Sequence, residues 1–245
     1  MKNKLNITWC YPDILNLNGD KSNIKAFEKV AKALDLDINI SRIDSYDDII
    51  DFKNTDILLF NSCELNNVEY VIKALKDQKK ELKKYLDSDK ILIAIGTSGA
   101  IFANRVVRID KGDLVGLELL NMNCYEREEM LVDDLMLKVR NENIRLIGSQ
   151  VQTMDIIVND DSYFADVEYG YGNNKGENID GARYRNLIYT NMIGPLFVKN
   201  PWFTQEIIKL AMKNKKVEIE KCIDKDEFEF EYKSFDTIKK YIEEK

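Results

Sequence analysis

Short apolar runs alternate with amphipathic segments along the first hundred residues. Four of the runs predict strands, at Leu5–Trp9, Asp37–Ile43, Asp56–Phe60 and Ile91–Ile95. Two stretches with apolar residues at helical spacing, Asn23–Leu34 and Asn66–Leu86, predict helices between them, with Ser22 as the cap of the first. Strands that alternate with helices predict an α/β fold with a central, mostly parallel sheet flanked by helices.

The pattern changes after about residue 114. Shorter β-like pieces follow, at 114–120, 129–139, 144–152, 162–170 and 186–192, with a glycine-rich turn at 170–176. Asn200-Pro201 opens a helix over Phe203–Met212. The composition then becomes highly charged, and Ser234 is expected to cap a final short helix. We therefore predict one domain over 1–214 and a charged C-terminal extension over 215–245.

The strand Ile91–Ile95 runs directly into Gly96-Thr97-Ser98-Gly99. Two glycines permit a sharp reversal of the chain, and Thr97 or Ser98 can cap the helix that follows. A strand, a tight turn and a helix are also how many hydrolases hold a nucleophile, in the pattern Gly-x-Ser-x-Gly. Here the second glycine follows the serine directly, so we interpret Ser98 as a cap or turn residue. Residues 95–98 are called the elbow below.

Composition and charge exclude some classes of function. A hydrophobic content of 44% predicts a globular core, and a net charge of −7 disfavours a nucleic-acid partner because no basic field would attract phosphates. No apolar run approaches the roughly 20 residues that cross a bilayer. The first residues, MKNKLNITWCYPD, lack the apolar stretch of a signal peptide. We expect a cytoplasmic protein without a membrane partner.

The chain contains no histidine. Histidine is the usual general base for a serine or cysteine nucleophile and the commonest metal ligand, so a Ser-His or Cys-His mechanism within this chain is excluded. The four cysteines are widely spaced and form no Cys-x-x-Cys pair, so we expect buried free thiols at Cys10, Cys63, Cys124 and Cys222. The acidic segments 159–168 and 224–231 are expected to be solvated surface. No cofactor or metal site is predicted.

Four motifs carry a family resemblance. In chain order they are YPDILNLNGDKSNI (11–24), GYGNN (170–174), DGARYRNLI (180–188) and GPLFVKNP (194–201). With the elbow between the first and the second, the chain resembles the glutamine amidotransferase subunit of lipid II isoglutaminyl synthase over approximately residues 5–213. That family lies in the cobyric-acid-synthase-like, CobB/CobQ-type branch of triad amidotransferases. The resemblance implies a class I glutamine amidotransferase-like, flavodoxin-like domain.

The resemblance also implies a chemistry from which this chain departs. Family members hydrolyse glutamine with a thiolate at the elbow, a histidine base and backbone donors to the oxyanion. Here Gly96 stands at the nucleophile position and Ile193 at the position of the base. Asn61-Ser62-Cys63 replaces the glycine-rich oxyanion loop. We therefore expect no catalytic residue at these positions, and a cleft that is more apolar and more open.

Several residues remain as candidates for contact with a ligand in that cleft. They are Asn61, Ser62, Cys63, Thr97 and Ser98, together with Arg127, which resembles a family arginine that contacts glutamine. The family segment G-F-E-N-H corresponds to Gly148-Ser149-Gln150-Val151-Gln152. Cys63 has no histidine to activate it, and an unperturbed thiol is only a few per cent ionised at neutral pH.

Three interpretations stay open. The protein is a non-catalytic binding or scaffold subunit with a Mur-ligase-like partner, as the resemblance implies. Alternatively, it is an enzyme whose cleft binds a different small molecule and uses a carboxylate or a metal. In the third interpretation it is a small-molecule sensor without a stable partner.

Overall fold

The fold is built on a six-stranded sheet, seen in a computed structural model that describes residues 3–17 and 19–244. Its strands are β1 (Lys4–Cys10), β2 (Asp37–Ile43), β3 (Ile57–Phe60), β4 (Ile91–Ile95), β11 (Ala182–Tyr184) and β12 (Leu187–Thr190), and they lie in the order β11-β12-β4-β3-β1-β2. All neighbours are parallel except β11, which runs antiparallel to β12. The predicted α/β architecture is confirmed.

Strand β4 lies inside this sheet, between β3 and β12. Leu92 is in register with Leu58 on one side and with Leu187 on the other. All five residues of β4 are buried, because helices cover both faces of the sheet. The strand predicted at Ile91–Ile95 is confirmed, and it carries the elbow at its carboxyl end.

Helices pack on the two faces of the sheet. On one face lie α1 (Ser22–Ala33), α4 (Leu196–Lys199) and α5 (Pro201–Asn214), and on the other lie α2 (Leu65–Lys76), α3 (Lys79–Asp87) and a 3₁₀ helix (Gly96–Phe102). Ser22 is the first residue of α1 and makes no capping hydrogen bond, so its predicted role as the cap was wrong.

The single helix predicted over Asn66–Leu86 is two helices. The chain turns at Asp77 and Gln78, between α2 and α3. The Gln78 side chain accepts a hydrogen bond from the Ile50 amide at 2.9 Å and donates to the Asp48 carbonyl at 3.2 Å. Gln78 therefore supplies hydrogen-bond partners to two backbone groups of the loop after β2. If the helix continued unbroken and Gln78 faced solvent, these two groups would lack those partners.

A second sheet lies beside the first. Its strands are β5 (Arg105–Val107), β6 (Leu114–Val115), β7 (Met122–Val139), β8 (Arg145–Val158), β9 (Ala165–Tyr169) and β10 (Ile179–Asp180), in the order β10-β9-β7-β5-β6 with β8 along β7. The predicted pieces 162–170 and 186–192 contain the short strands β9 and β12, whereas 129–139 and 144–152 are parts of two longer strands, β7 and β8. Their register shifts between Glu126 and Leu131, where a polar run interrupts the apolar alternation that predicts a strand.

The charged extension packs onto the domain. Ile223 and Phe228 are buried in the same core cluster as α1. The extension ends in α6 (Glu229–Glu243), whose Tyr232 and Phe235 rings lie 5.1 and 5.2 Å from the Trp202 ring. The final helix thus begins earlier than predicted. Ser234 lies inside it and is not its cap.

The thiols follow the prediction with one exception. Cys10, Cys63 and Cys124 are buried, whereas Cys222 is exposed because it lies in the charged extension. None of the helices within residues 3–17 and 19–244 combines the length and the apolar character that spanning a membrane requires.

Candidate functional site

The elbow brings together the three positions at which the resemblance predicts an altered motif, Gly96, Ser62 and Ile193. Strand β4 delivers the chain to Gly96, whose φ is +58°, a conformation that favours glycine. A Cβ atom at Gly96 would lie 2.6 Å from Ser62 Oγ and 3.3 Å from Ile193 Cγ2. The three positions that the resemblance matches to the nucleophile, the oxyanion loop and the base therefore meet around Gly96.

The site is filled by these side chains. Ser62 and Ile193 are only 3% and 2% exposed, and every residue from Gly96 to Phe102 is buried. The expectation of a more open cleft was therefore wrong. Glycine at position 96 leaves no room, because Ser62 and Ile193 close around it.

Backbone amides at the elbow are bonded within the protein. Thr97 N–H donates to Ser62 Oγ at 3.4 Å, and Ser62 N–H donates to Asp20 Oδ2 at 3.1 Å. Hydrolases of this general architecture use the amide after the nucleophile and an amide from a neighbouring loop to hold an oxyanion. At the elbow, the Thr97 and Ser62 amides are instead bonded to the Ser62 hydroxyl and the Asp20 carboxylate.

Asp20 and Asn23 are site residues that the sequence reasoning missed. Asp20 is fully buried and also accepts a backbone hydrogen bond from Gly194. Burial raises the pKa of the Asp20 carboxyl to about 6, against the hydrogen bonds that lower it. Asn23 donates to Asn61 Oδ1 at 3.2 Å and accepts from the Phe197 amide at 2.9 Å. Both residues lie in the motif 11–24, which was a usable signal.

Asn61 has one unpaired group in this buried network. Its Oδ1 accepts from Asn23, but its Nδ2 is buried without a hydrogen-bond partner among the described residues. A buried amide nitrogen left unpaired costs about 1–3 kcal/mol. Asn61, predicted to contact a ligand, is itself fully buried.

Ser98 has a structural role in the turn. Its hydroxyl accepts from the Ile95 amide at 3.0 Å and lies 3.0 Å from the Phe60 carbonyl, to which it donates. These bonds tie the end of β4 to the end of β3. The interpretation of Ser98 as a cap or turn residue is confirmed.

Cys63 is a poor nucleophile in this environment. The side chain is buried, and burial raises the pKa of its thiol to about 12. A nearby Glu64 carboxylate adds to the same effect. The thiolate is therefore rarer at neutral pH than in an ordinary cysteine.

Arg127 lies apart from the elbow. Its Nη1 atom donates to both carboxylate oxygens of Asp155, at 2.7 Å each. Asp155 is six residues along β8 from Ser149, the residue that pairs with Ile193, which is roughly 20 Å of strand. Among the described contacts, none joins Arg127 to the elbow.

Gln150 and Gln152 hold the GYGNN segment in place. Gln150 Nε2 donates to the Gly172 carbonyl at 2.6 Å, and Gln152 Nε2 donates to the Asn173 carbonyl at 2.7 Å. Asn173 in turn bonds the backbone of Gly181 and the side chain of Asn191. The motif is a turn, as predicted, and its position fixes the approach of β12 to the site.

The carboxyl of Asp180 is the second buried acid near the site. It accepts from the Thr190 hydroxyl at 2.5 Å and from the Asn191 side chain at 3.0 Å. Burial raises the pKa of the Asp180 carboxyl to about 6. Across the described residues, no group of three Cys, Asp or Glu side chains is placed to hold a metal ion.

Comparison with known sequences identifies weak homology. The chain is 23% identical over 216 residues to the lipid II isoglutaminyl synthase (glutamine-hydrolyzing) subunit GatD of Streptococcus pneumoniae (strain ATCC BAA-255 / R6), covering 86% of this chain and 82% of that protein. It is 24% identical over 208 residues to the protein of the same description from Staphylococcus aureus (strain N315), covering 85% and 84%. No protein-family model matches the chain.

Comparison with solved structures identifies the fold. A crystal structure of a glutamine amidotransferase superposes with a TM-score of 0.50 at 12% identity, covering 76% of this chain and 93% of the other. The glutaminase domain of Trypanosoma brucei CTPS with bound acivicin gives a TM-score of 0.50 at 10% identity, covering 85% and 94%. The chain thus has the fold of class I glutamine amidotransferases.

Proposed function

We propose that this glutamine amidotransferase-like protein does not hydrolyse glutamine and acts as a binding or scaffold subunit related to lipid II amidation. The homology to the two GatD subunits supports the link to lipid II. The observation that carries the loss of activity is the closure of Ser62 and Ile193 around Gly96. Membership of the CobB/CobQ-type branch, a cytoplasmic location and the division at residue 214 belong to the same proposal.

Three requirements of amide hydrolysis are unmet at this site. Gly96 has no side chain that could attack a carbonyl carbon, and Ile193 can neither accept nor donate a proton. In a serine protease, loss of the nucleophile alone lowers turnover by about a millionfold. The Ser62 hydroxyl and the Asp20 carboxylate take the amides that would stabilise an oxyanion. Together these features support a site that is closed to glutamine chemistry.

The test is an ammonia-release assay with the purified chain and glutamine. We expect no ammonia above the rate without protein, while a glutamine-hydrolysing GatD relative assayed in parallel releases ammonia. Reproducible release of ammonia, stoichiometric with glutamate, would contradict the proposal. A Cys63→Ala variant then identifies the source, because loss of release in that variant would assign the nucleophile to Cys63.

A partner is the second part of the proposal. Both relatives are described as subunits of a synthase. We propose a Mur-ligase-like partner for this chain. Co-expression with a Mur-ligase-like protein from the same organism, followed by size-exclusion chromatography, should give one complex. Separate elution of the two proteins at micromolar concentration would count against a scaffold role.

A further inference from the structure

Lys199 is an unusual lysine near the elbow. It ends α4, is half-buried, and has no carboxylate within 4 Å among the described residues. Buried lysines are normally paired with an acid. Its Nζ atom lies 3.4 Å from Ser149 Oγ and donates to it. A half-buried amine without an ion pair therefore contacts a hydroxyl.

The backbone around this pair is held in place by Asn200. The Asn200 side chain accepts from the Ile147 amide and donates to the Ile147 carbonyl, both at 2.9 Å, and it also donates to the Leu196 carbonyl at 2.8 Å. These bonds join β8 to the end of α4. Ser149 and Lys199 each lie within two residues of this junction, so their separation is fixed by rigid elements.

The pair adjoins the altered site. Ser149 and Ile193 exchange two backbone hydrogen bonds, of 3.2 and 2.9 Å, as an isolated antiparallel bridge. Side chains of residues paired in this way lie on the same side, about 5 Å apart. The Ile193 side chain itself borders the empty Cβ position of Gly96. Ser149 therefore lies beside the elbow, separated from Gly96 by the Ile193 side chain.

Gly194 leaves the pair uncovered. A Cβ atom at Gly194 would lie 3.5 Å from Ser149 Oγ and 3.9 Å from Lys199 Nζ, and the glycine φ is +84°. Glycine therefore leaves a space that borders both the hydroxyl and the amine. Ser149, Gly194 and Lys199 are all partly accessible to solvent, unlike Gly96 and Ile193.

Two effects of opposite sign act on the pKa of Lys199. Burial lowers the pKa of the Lys199 amine, which increases its neutral fraction, whereas the Asp134 carboxylate raises it. Asp134 is the residue of β7 that pairs with Ser149. A neutral lysine next to a serine can accept the serine proton, as in serine–lysine hydrolases.

We propose that Ser149 is a nucleophile and Lys199 its general base, acting on small ester or amide carbonyl groups. Ser149 Oγ attacks the carbonyl carbon, and its proton moves to the neutral Lys199 amine. The new Oγ–C bond forms as the bond to the leaving group breaks, and Lys199 returns the proton to the departing alcohol or amine. Water then hydrolyses the acyl-serine. No oxidant, metal or cofactor takes part.

The experiment is covalent labelling of the full chain with an alkyl fluorophosphonate, read by intact mass and peptide mapping. Attack by Ser149 forms an O–P bond, fluoride leaves, and the proton stays on Lys199. We expect one adduct, on the peptide that contains Ser149, with a rate that rises as pH rises. Ser149→Ala should remove it.

Two lysine variants separate a base from a structural contact. Lys199→Arg keeps the charge and a hydrogen-bond donor but cannot accept a proton, so labelling should slow by about 100-fold or more. Lys199→Gln should behave similarly. Lys90 is a matched control, because it is also half-buried with a pKa lowered by burial, and it bonds to the Phe52 and Lys53 carbonyls far along the chain. Lys90→Gln should label at the wild-type rate.

The outcomes are distinct. No adduct, an adduct on another serine, or wild-type labelling of Lys199→Arg in a variant with an unchanged melting temperature would overturn the proposal. Ammonia release from glutamine that disappears in Ser149→Ala would support this pair and contradict the proposed loss of glutaminase activity. A labelled Ser149 without ammonia release supports both proposals.

Discussion

Two separate features of the structure disfavour a Cβ atom at position 96. Its φ of +58° is strained for any residue with a Cβ, and that Cβ would lie 2.6 Å from Ser62 Oγ. The two effects are separable, because the first belongs to the backbone and the second to the serine side chain. Ser62 and Gly96 should therefore be energetically coupled.

We predict that Gly96→Ala lowers the free energy of unfolding by about 2 kcal/mol. Ser62→Gly in the same chain should recover about 1 kcal/mol, because it removes the contact but not the backbone strain. Urea denaturation of both single variants and the double variant measures the coupling. Simple additivity of the two losses would show that Ser62 does not close on the glycine.

Gly112 is the matched control for this prediction. A Cβ atom there would meet nothing within 4 Å, and its φ is not in the positive range. Gly112→Ala should change the free energy of unfolding by no more than about 0.5 kcal/mol.

The hypothesis that Gly96 and Ile193 stand at altered positions comes from the sequence, because each lies inside a contiguous motif. The close approach of Ser62 and Ile193 to Gly96 could not be predicted, because a sequence motif does not give the distance between side chains on different strands. Asp20 was missed for a related reason. Its bond to the Ser62 amide joins residues 42 positions apart. The same holds for Ser149 and Lys199, which are 50 positions apart.

At the scale of elements, Gln78 lies at the break between helices α2 and α3. Apolar spacing continues through Asn66–Leu86, so periodicity alone predicts one helix. The structure divides it because Gln78 bonds to backbone groups of the loop after β2. Such a contact between a helix and a distant loop leaves no trace in the local pattern.

We predict that Gln78→Ala destabilises this loop, because the Ile50 amide loses its acceptor at 2.9 Å. The loss should be about 1–3 kcal/mol, with faster hydrogen exchange at the Ile50 amide. Lys80→Ala, at an exposed position of α3, is the control and should leave that exchange rate unchanged. Unchanged protection of Ile50 in Gln78→Ala would show that the loop is held by other contacts.

Among the strands, too, local patterns were predicted correctly and long-range pairing was not. Strands β2 and β4 were predicted with the observed bounds, because their apolar patterns are local and uninterrupted. Strands β7 and β8 were predicted as fragments, since the polar residues at their register shift are compatible with a loop. Only pairing of one long strand with the other makes those residues part of a sheet.

At the scale of the molecule, the extension completes the core on the α1 face. Phe228 is 1% exposed there, whereas Phe230, two residues later, is 82% exposed. The Lys29 amine lies 4.2 Å from the centre of the Phe228 ring and also bonds to Glu231. The charged composition of 215–245 predicted an appendage but did not reveal this anchor.

We predict that Phe228→Ala lowers the free energy of unfolding by about 3–5 kcal/mol, because it leaves a cavity in the core. Phe230→Ala should change it by no more than about 0.5 kcal/mol. Chemical denaturation followed by tryptophan fluorescence measures both, since Trp202 contacts the same extension. Equal effects of the two substitutions would mean that the extension is not anchored through Phe228.

The contact between Lys29 and residues 228–231 has a consequence for biosynthesis. Lys29 emerges from the ribosome 202 residues before Glu231. Helix α1 therefore stays without this contact through most of translation, and chaperones that bind nascent chains can act on its uncovered apolar residues during that time.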